Sequence, residues 1–115
     1  MRFASSFAGI LFAGAAQAAC PGVTQMEMNN CAATEYQATD AALNATWGPA
    51  KSFMDGIGQG AVLLDAQRKW IAFRDAACKA EAAPYEGGSI QPLVYYSCAT
   101  RLTRARTQDL GQFRF

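Results

Sequence analysis

The sequence predicts an all-α protein: a small antiparallel three-helix bundle, stapled by two disulfides, that follows a cleaved signal peptide. Three stretches carry apolar residues at the three- and four-residue spacing of amphipathic helices. Two short glycine-containing segments, Gly56–Gly60 and Pro84–Ser89, separate these stretches. Short connections favour an antiparallel, up-down-up arrangement, and the 115 residues are enough for one domain.

Residues 1–19 are typical of a secretory signal peptide. Arg2 supplies the positive charge, and an apolar run then ends in AQA, the small-x-small pattern of a cleavage site. The run is shorter than the ~20 residues of a membrane-spanning helix, so no span is expected after cleavage. A lipoprotein signal ending at Cys20 is the alternative, but Gln17 stands where that signal usually has Leu. We therefore expect a mature domain of residues 20–115 in the periplasm or outside the cell.

The first helix is predicted to begin with a capping box at Thr24 and Glu27. In this motif the Thr hydroxyl accepts from the backbone N–H three residues later, and the Glu carboxylate reaches back to the cap. Apolar residues then recur with helical spacing until Gly48-Pro49 interrupts them. Proline costs about 3 kcal/mol inside a helix, so the helix is predicted to end or kink there, with another turn over residues 50–55 left open.

The second helix is predicted from about residue 61 to residue 83, where the apolar spacing is unbroken. The third is predicted to start with Ser89 as N-cap, with Pro92 tolerated in its first turn, and to end near Gly111. The more apolar edges of the first two helices face the same side, and the third helix is expected to pack there. Those edges carry Tyr36, Leu43, Trp47 and Met54 in the first helix and Leu64 and Ile71 in the second.

Four cysteines follow the signal, and an even number in a small exported chain predicts two disulfides with three possible connectivities. No C-x-x-C pair and no histidine is present, which argues against a zinc site. Projection on the helices places Cys78 on the side expected for the third helix and Cys31 on the other. The favoured pairs are thus Cys78–Cys98, between the second and third helices, and Cys20–Cys31, which pins the N-terminal arm. A Cys31–Cys98 bond is the alternative.

Arg74, in the stretch LLDAQRKWIAFRDAAC, projects into the middle of the apolar stripe of the second helix. Because arginine keeps its charge, it needs a carboxylate or several carbonyls when buried. Glu35 points into the apolar stripe of the first helix at the matching level, so a buried Glu35–Arg74 ion pair is predicted. Gln67 and Glu81 are further candidate partners. A catalytic arginine–carboxylate group is the functional alternative.

Composition narrows the class of function. The chain has ten basic and nine acidic residues, and without Arg2 the charges balance, which argues against the basic face of a nucleic-acid binder. Histidine is absent, and with it the commonest general base and metal ligand. No phosphate-cradling glycine motif and no pair of inward-facing carboxylates is found in the sequence. We therefore predict a protein that is not an enzyme and has no cofactor, metal or catalytic residues.

Five segments together resemble the LprI-like family of small exported bacterial proteins, named for a member described as a lysozyme inhibitor. They are QMEMNNCA, TDAALN, LLDAQRKWIAFRDAAC, YEGGSIQP and the C-terminal C…LT..R. The resemblance covers nearly the whole mature chain. It implies a non-enzymatic envelope protein that binds lysozyme or another peptidoglycan hydrolase. The alternative is an envelope interaction or scaffold module for another protein or a cell-wall partner.

A partner-binding loop is the remaining prediction. An inhibitor of a lysozyme cleft needs a protruding segment with hydrogen-bond donors and an aromatic ring. Tyr85, Glu86, Gly87, Gly88 and Ser89, here called the YEGGS loop, fit this best: glycines allow close backbone approach, and the Tyr85 and Ser89 hydroxyls donate. The structural alternative is a plain turn between helices, with Ser89 used only as the cap.

Overall fold

The computed structural model describes residues 22–114, and in this range the chain is helical, with three α-helices and no strand. Helix α1 spans Gln25–Gly56, α2 spans Gly60–Ala82 and α3 spans Gln91–Leu110, and a 3₁₀ turn, Ala83–Tyr85, follows α2. The predicted signal peptide lies outside the described residues. None of these helices combines the length and apolar character that crossing a membrane requires.

The start of α1 confirms the capping box. The backbone N–H of Glu27 donates to the Thr24 hydroxyl at 3.1 Å, and the Thr24 N–H donates back to the Glu27 carboxylate at 3.0 Å. The N–H of Val23 also donates to this carboxylate. The donated backbone bonds, that of Thr24 first, hold the pKa of Glu27 below its ordinary value. The cap therefore fixes the first turn of the longest helix.

Of the two outcomes predicted at Gly48-Pro49, an end or a kink, the end does not occur, because helix α1 continues through Pro49 to Gly56 and includes the further turn over residues 50–55. Proline has no N–H to donate within the helix. The next residue, Ala50, is fully buried against Leu43, Leu63 and Leu110. Packing on both sides of Pro49 outweighs the missing hydrogen bond, since tertiary contacts provide most of the stability of a helix in a protein.

Contacts between the helices confirm the up-down-up bundle. Near the beginnings of α1 and α3, the side-chain amide of Asn29 donates to the Ser89 carbonyl at 2.8 Å. Near the end of α3, Leu110 packs with Leu63 from the start of α2. Helix α3 therefore runs parallel to α1 and antiparallel to α2, and it packs against both.

The Cys78–Cys98 disulfide is confirmed, with 5.4 Å between the two Cα atoms, and it joins the end of α2 to the first half of α3. Cys20 lies outside the described residues, so the Cys20–Cys31 bond stays a prediction. The Cys78–Cys98 bond contradicts the alternative in which Cys31 joins Cys98. Within residues 22–114, the structure thus describes one of the two predicted disulfides.

The core consists of two apolar clusters with polar side chains between them. The first cluster contains Leu43, Ala50, Leu63 and Leu110, and the second contains Cys78, Cys98 and Ala99. Along α2, the buried side chains of Gln67 and Arg74 lie between the two clusters. Along α3, the buried Thr103 occupies the same level. The bundle is therefore divided by a polar layer rather than filled by one continuous apolar core.

The sequence predicted that α3 packs on the apolar edge formed by Leu64 and Ile71. In the structure α3 does not cover this edge. These two side chains line an open recess between α1 and α2, together with Trp47. The residues that meet α3 are Leu63 and Cys78, on the adjoining part of the α2 surface. On α1 the prediction is confirmed, since Tyr36 contacts Tyr96 and Leu43 packs with Leu110 of α3. On α2 it was wrong because both edges are apolar, and helical spacing alone does not rank them.

Candidate functional site

The YEGGS loop is a compact turn with its own hydrogen bonds. The N–H of Gly88 donates to the Tyr85 carbonyl at 2.9 Å, and the N–H of Gln91 donates to the Gly88 carbonyl at 3.2 Å. Gly87 has φ +82°, in the left-handed region that glycine enters without a Cβ clash. The loop therefore has a defined shape, although all five of its side-chain positions are exposed.

Ser89 is not the N-cap of α3, contrary to the prediction. The cap position is Ile90, and no side chain bonds to the cap. The reason is that the turn ends one residue later than the sequence indicated, through the hydrogen bond from the Gln91 N–H to the Gly88 carbonyl. Within residues 22–114 the exposed Ser89 hydroxyl has no hydrogen-bond partner. Helix capping therefore does not explain the serine at this position, and its hydroxyl is available to a ligand.

A short chain of amides on α1 supports the loop. Gln25 donates from its Nε2 to the Asn29 Oδ1 at 2.9 Å, and Asn29 donates from its Nδ2 to the Ser89 carbonyl at 2.8 Å. Sequence reasoning missed this support because Asn29 and Ser89 are 60 residues apart. The available signal was an amide side chain just after the capped first turn of α1.

A shallow depression of about 610 Å³ lies between the loop and the first turns of α1. Gly87, Gly88 and Ser89 form one side, and Met26 and Asn30 form the other. Tyr96 closes the depression below and stacks on Tyr36 with 5.9 Å between ring centroids. Met26 is 71% exposed, and Tyr85, at the start of the loop and outside the lining, is 45% exposed. Loop and depression form the candidate contact surface.

The predicted Glu35–Arg74 pair is not formed. Arg74 is buried as predicted, but its Nε donates to Asp75 at 2.9 Å and its Nη1 lies 3.7 Å from Asp40. Glu35 instead accepts from Arg104 of α3 at 3.3 Å. The reason is that Glu35 lies on the side of α1 that faces α3, whereas Asp40 lies on the side that faces α2.

The two other predicted partners of Arg74 are also engaged elsewhere. Gln67 accepts from the Arg106 Nε at 2.8 Å, and Glu81 accepts from Arg101 at 2.9 Å. The hydrogen bond from Arg101 lowers the pKa of Glu81. Within residues 22–114 there is no group of three or more side chains that could hold a metal ion.

Comparison with known proteins gives two matches. A family model described as lysozyme inhibitor LprI matches residues 15–110 of the chain. An uncharacterized protein from Rhizobium meliloti (strain 1021) is 37% identical over 102 residues, which cover 78% of this chain and 73% of that protein. No solved structure matches the chain significantly.

Proposed function

Because the chain belongs to the lysozyme inhibitor LprI family, we propose that it is an exported, non-enzymatic protein that binds a lysozyme-type muramidase and inhibits it. The family match over residues 15–110 is the observation that carries this proposal. The signal peptide predicted at residues 1–19 would deliver the protein to the periplasm or the exterior, where such enzymes reach the cell wall.

The YEGGS loop is the proposed contact with the muramidase. A lysozyme cleft holds two carboxyl groups and binds polar sugars, so a donor-rich segment suits it. The loop offers the free hydroxyl of Ser89 and the exposed phenol of Tyr85, and its glycines let the backbone come close. Its internal hydrogen bonds and the support from Asn29 hold the loop in shape before binding. Less conformational entropy is then lost when the complex forms.

Glu86 sets a constraint on how the loop approaches the cleft. Its carboxylate is exposed, and a carboxylate that enters a cleft with two others is repelled. We therefore place Glu86 toward the rim of the cleft, with Tyr85 and Ser89 directed inward. In this arrangement Glu86→Gln leaves inhibition unchanged or strengthens it.

The test is inhibition of cell-wall lysis. Purified residues 20–115 should slow the fall in turbidity when a muramidase digests bacterial cell walls. The double variant Tyr85→Ala, Ser89→Ala should weaken inhibition by about 30-fold or more, since a tyrosine anchor contributes about 2 kcal/mol. Lys69→Ala, a charge change on an exposed position of α2, is the matched control and should inhibit like the parent.

Thermal unfolding of each variant separates lost binding from lost folding. The double variant should unfold at nearly the parent temperature, because both side chains are exposed. Absence of any inhibition at micromolar parent protein would refute the proposed function. Equal inhibition by parent and double variant would leave the function standing and reject the loop as the contact.

A second surface on α2 is the alternative contact. Val62 and Phe73 of α2 are apolar side chains that are 61% and 59% exposed. This surface suits the alternative function, a module that binds another envelope protein or cell-wall partner. Phe73→Ser distinguishes the two: a muramidase complex through the YEGGS loop is unaffected by it, whereas a complex through α2 is lost.

A further inference from the structure

A second recess, here called the α1–α2 recess, lies between α1 and α2 and shares no lining residue with the depression beside the YEGGS loop. Its volume is about 420 Å³. Polar side chains of Gln67 and Arg74 lie at its floor, where the bundle is buried. Trp47, Leu64 and Ile71 provide apolar walls, and Asp40, Asn44 and Arg68 also line the recess. The recess therefore combines a polar floor with apolar walls, which is typical of small-molecule sites.

The guanidinium of Arg74 is fixed in place but keeps unused donors. It lies between the rings of Trp70 and Tyr36, with 5.2 Å and 5.5 Å from its central carbon to the ring centroids. This stacking sets the plane of the group. Of its five N–H donors, only Nε makes a hydrogen bond, to Asp75. The Nη1–Asp40 distance of 3.7 Å is too long for one.

These unused donors are open to the recess. Within residues 22–114, the buried side-chain atoms that are sealed from solvent and lack a partner are the hydroxyls of Thr100 and Thr103. The Nη atoms of Arg74 therefore keep some contact with solvent, although its side chain is only 10% exposed. A rigid guanidinium with accessible donors at the floor of a recess is a binding feature for a planar anion.

Three neighbouring side chains add donors. Arg106 only donates, so the Gln67 oxygen must accept its bond and the Gln67 amide NH₂ remains free to donate. Arg68 and Asn44 are exposed and have no ion pair or hydrogen bond to another residue in the described range. Arg74 is paired with Asp75 and lies near Asp40, so the unpaired Arg68 supplies the positive charge that an anion meets in the recess.

We propose that the α1–α2 recess binds the carboxylate of a small ligand that carries an amide N–H beside that carboxylate and an apolar group. The Arg74 guanidinium and the Gln67 amide receive the carboxylate, and Arg68 completes its neutralisation. Asp40 accepts from the ligand N–H, which also disfavours a doubly charged phosphate. Trp47 and Ile71 cover the apolar group. The C-terminal residue of a short peptide and an acidic N-acetylated amino sugar share this chemistry.

The experiment is a titration followed by NMR on the ¹⁵N-labelled mature protein. The probes are acetyl-D-alanyl-D-alanine for the peptide source and N-acetylmuramic acid for the sugar source. The methyl ester of the dipeptide and N-acetylglucosamine lack the carboxylate and are the matched neutral controls. Shifts are expected at the Trp47 indole N–H, the Asn44 and Gln67 amides and the Arg74 Nε–H. The probe that produces them identifies the source.

Variants make the assignment specific, and two of them, Arg68→Ala and Lys69→Ala, change exposed residues without disturbing the core. Arg68→Ala should weaken binding of the acidic probe about tenfold, as expected for one lost charge-assisted contact. Lys69→Ala changes the adjacent residue, which is paired with Asp65 outside the recess, and should leave binding unchanged. Arg74→Lys keeps the charge but loses the planar fork, and should weaken binding further than Arg68→Ala.

Three outcomes would overturn the proposal. They are no shift at the recess with either acid at about 10 mM, equal shifts with the neutral controls, and an unchanged affinity in Arg68→Ala. Because the titration uses the free protein, these outcomes are independent of whether a muramidase is inhibited.

Discussion

A charge at the centre of a helical bundle needs compensation, and Arg74 obtains it from two aromatic rings as well as from carboxylates. Its residue is 8% exposed, whereas the side chains of Asp40 and Asp75 are 38% and 52% exposed. The carboxylates are therefore largely hydrated, and the rings of Trp70 and Tyr36 supply the closely packed contacts. Arg106 stacks on the other part of the Trp70 surface at 5.9 Å. The polar layer is thus held by stacking around one indole.

Replacing Arg74 by Met tests this balance. We expect the free energy of unfolding to fall by about 2 kcal/mol, less than the 3–5 kcal/mol for a fully buried pair, because Asp40 and Asp75 stay hydrated. Arg104→Met removes an exposed pair with Glu35 and should cost less than about 1 kcal/mol. Urea unfolding measures both values. Equal losses of unfolding free energy in the two variants would show that the buried Arg74 contributes no more stability than an exposed arginine.

The lowered pKa values of two glutamates predict how the stability of the fold depends on pH. The pKa of Glu27 is lowered by the Thr24 and Val23 backbone N–H groups, and the pKa of Glu81 by Arg101. A lowered pKa in the folded state means that stability is present above the unfolded value of 4.5 and is lost as pH falls below it. The unfolding temperature should therefore drop between about pH 5 and pH 3.

The Glu27→Gln variant should flatten this acid response, and the loop variant Glu86→Gln serves as the control. Thermal unfolding followed by circular dichroism at several pH values measures it. An identical pH dependence in Glu27→Gln and the parent would show that the capping box is not linked to acid stability.

At the scale of elements, α1 carries an internal proline that its packing tolerates. Pro49→Ala should restore a backbone donor and relieve a clash, raising the free energy of unfolding by about 1–3 kcal/mol. Both Gly48 and Pro49 are exposed, so neither change alters packing. Gly48→Ala restores no donor and should add only about 0.5–1 kcal/mol, by backbone entropy. If Pro49→Ala raises the free energy of unfolding no more than Gly48→Ala does, the proline does not destabilise the helix.

The sequence predicted the helices more accurately than it predicted which side of each helix faces which neighbour. Helical spacing, the capping box and the glycine segments predicted three helices and their order. The Cys78–Cys98 bond was predicted from the projection of the cysteines on the helices. The partner of Arg74 was missed because Glu35 and Asp40 are both compatible with a half-buried position on α1 and differ only in which neighbour they face. That choice depends on how each helix is rotated about its own axis in the bundle. The periodicity of a single helix does not give this rotation.

On the scale of the whole molecule, the two candidate surfaces lie at different levels of the bundle. The YEGGS loop lies at the end near the Cys78–Cys98 bond, and the α1–α2 recess opens at the level of Gln67 and Arg74. The loop was predictable, because glycines between two helical patterns mark a turn. Its support by Asn29 and the recess were not, because both arise from contacts between distant parts of the chain.

The position of the disulfide has a consequence for proteolysis. Cys78 and Cys98 are 20 residues apart, and the YEGGS loop lies between them. A protease that cuts the exposed loop after Tyr85 therefore leaves α2 and α3 covalently joined. Limited digestion with chymotrypsin should give one band on a non-reducing gel and two fragments once the bond is reduced. Two separate fragments without reductant would contradict this. The protein would thus remain one covalent molecule after a protease has cut the exposed YEGGS loop.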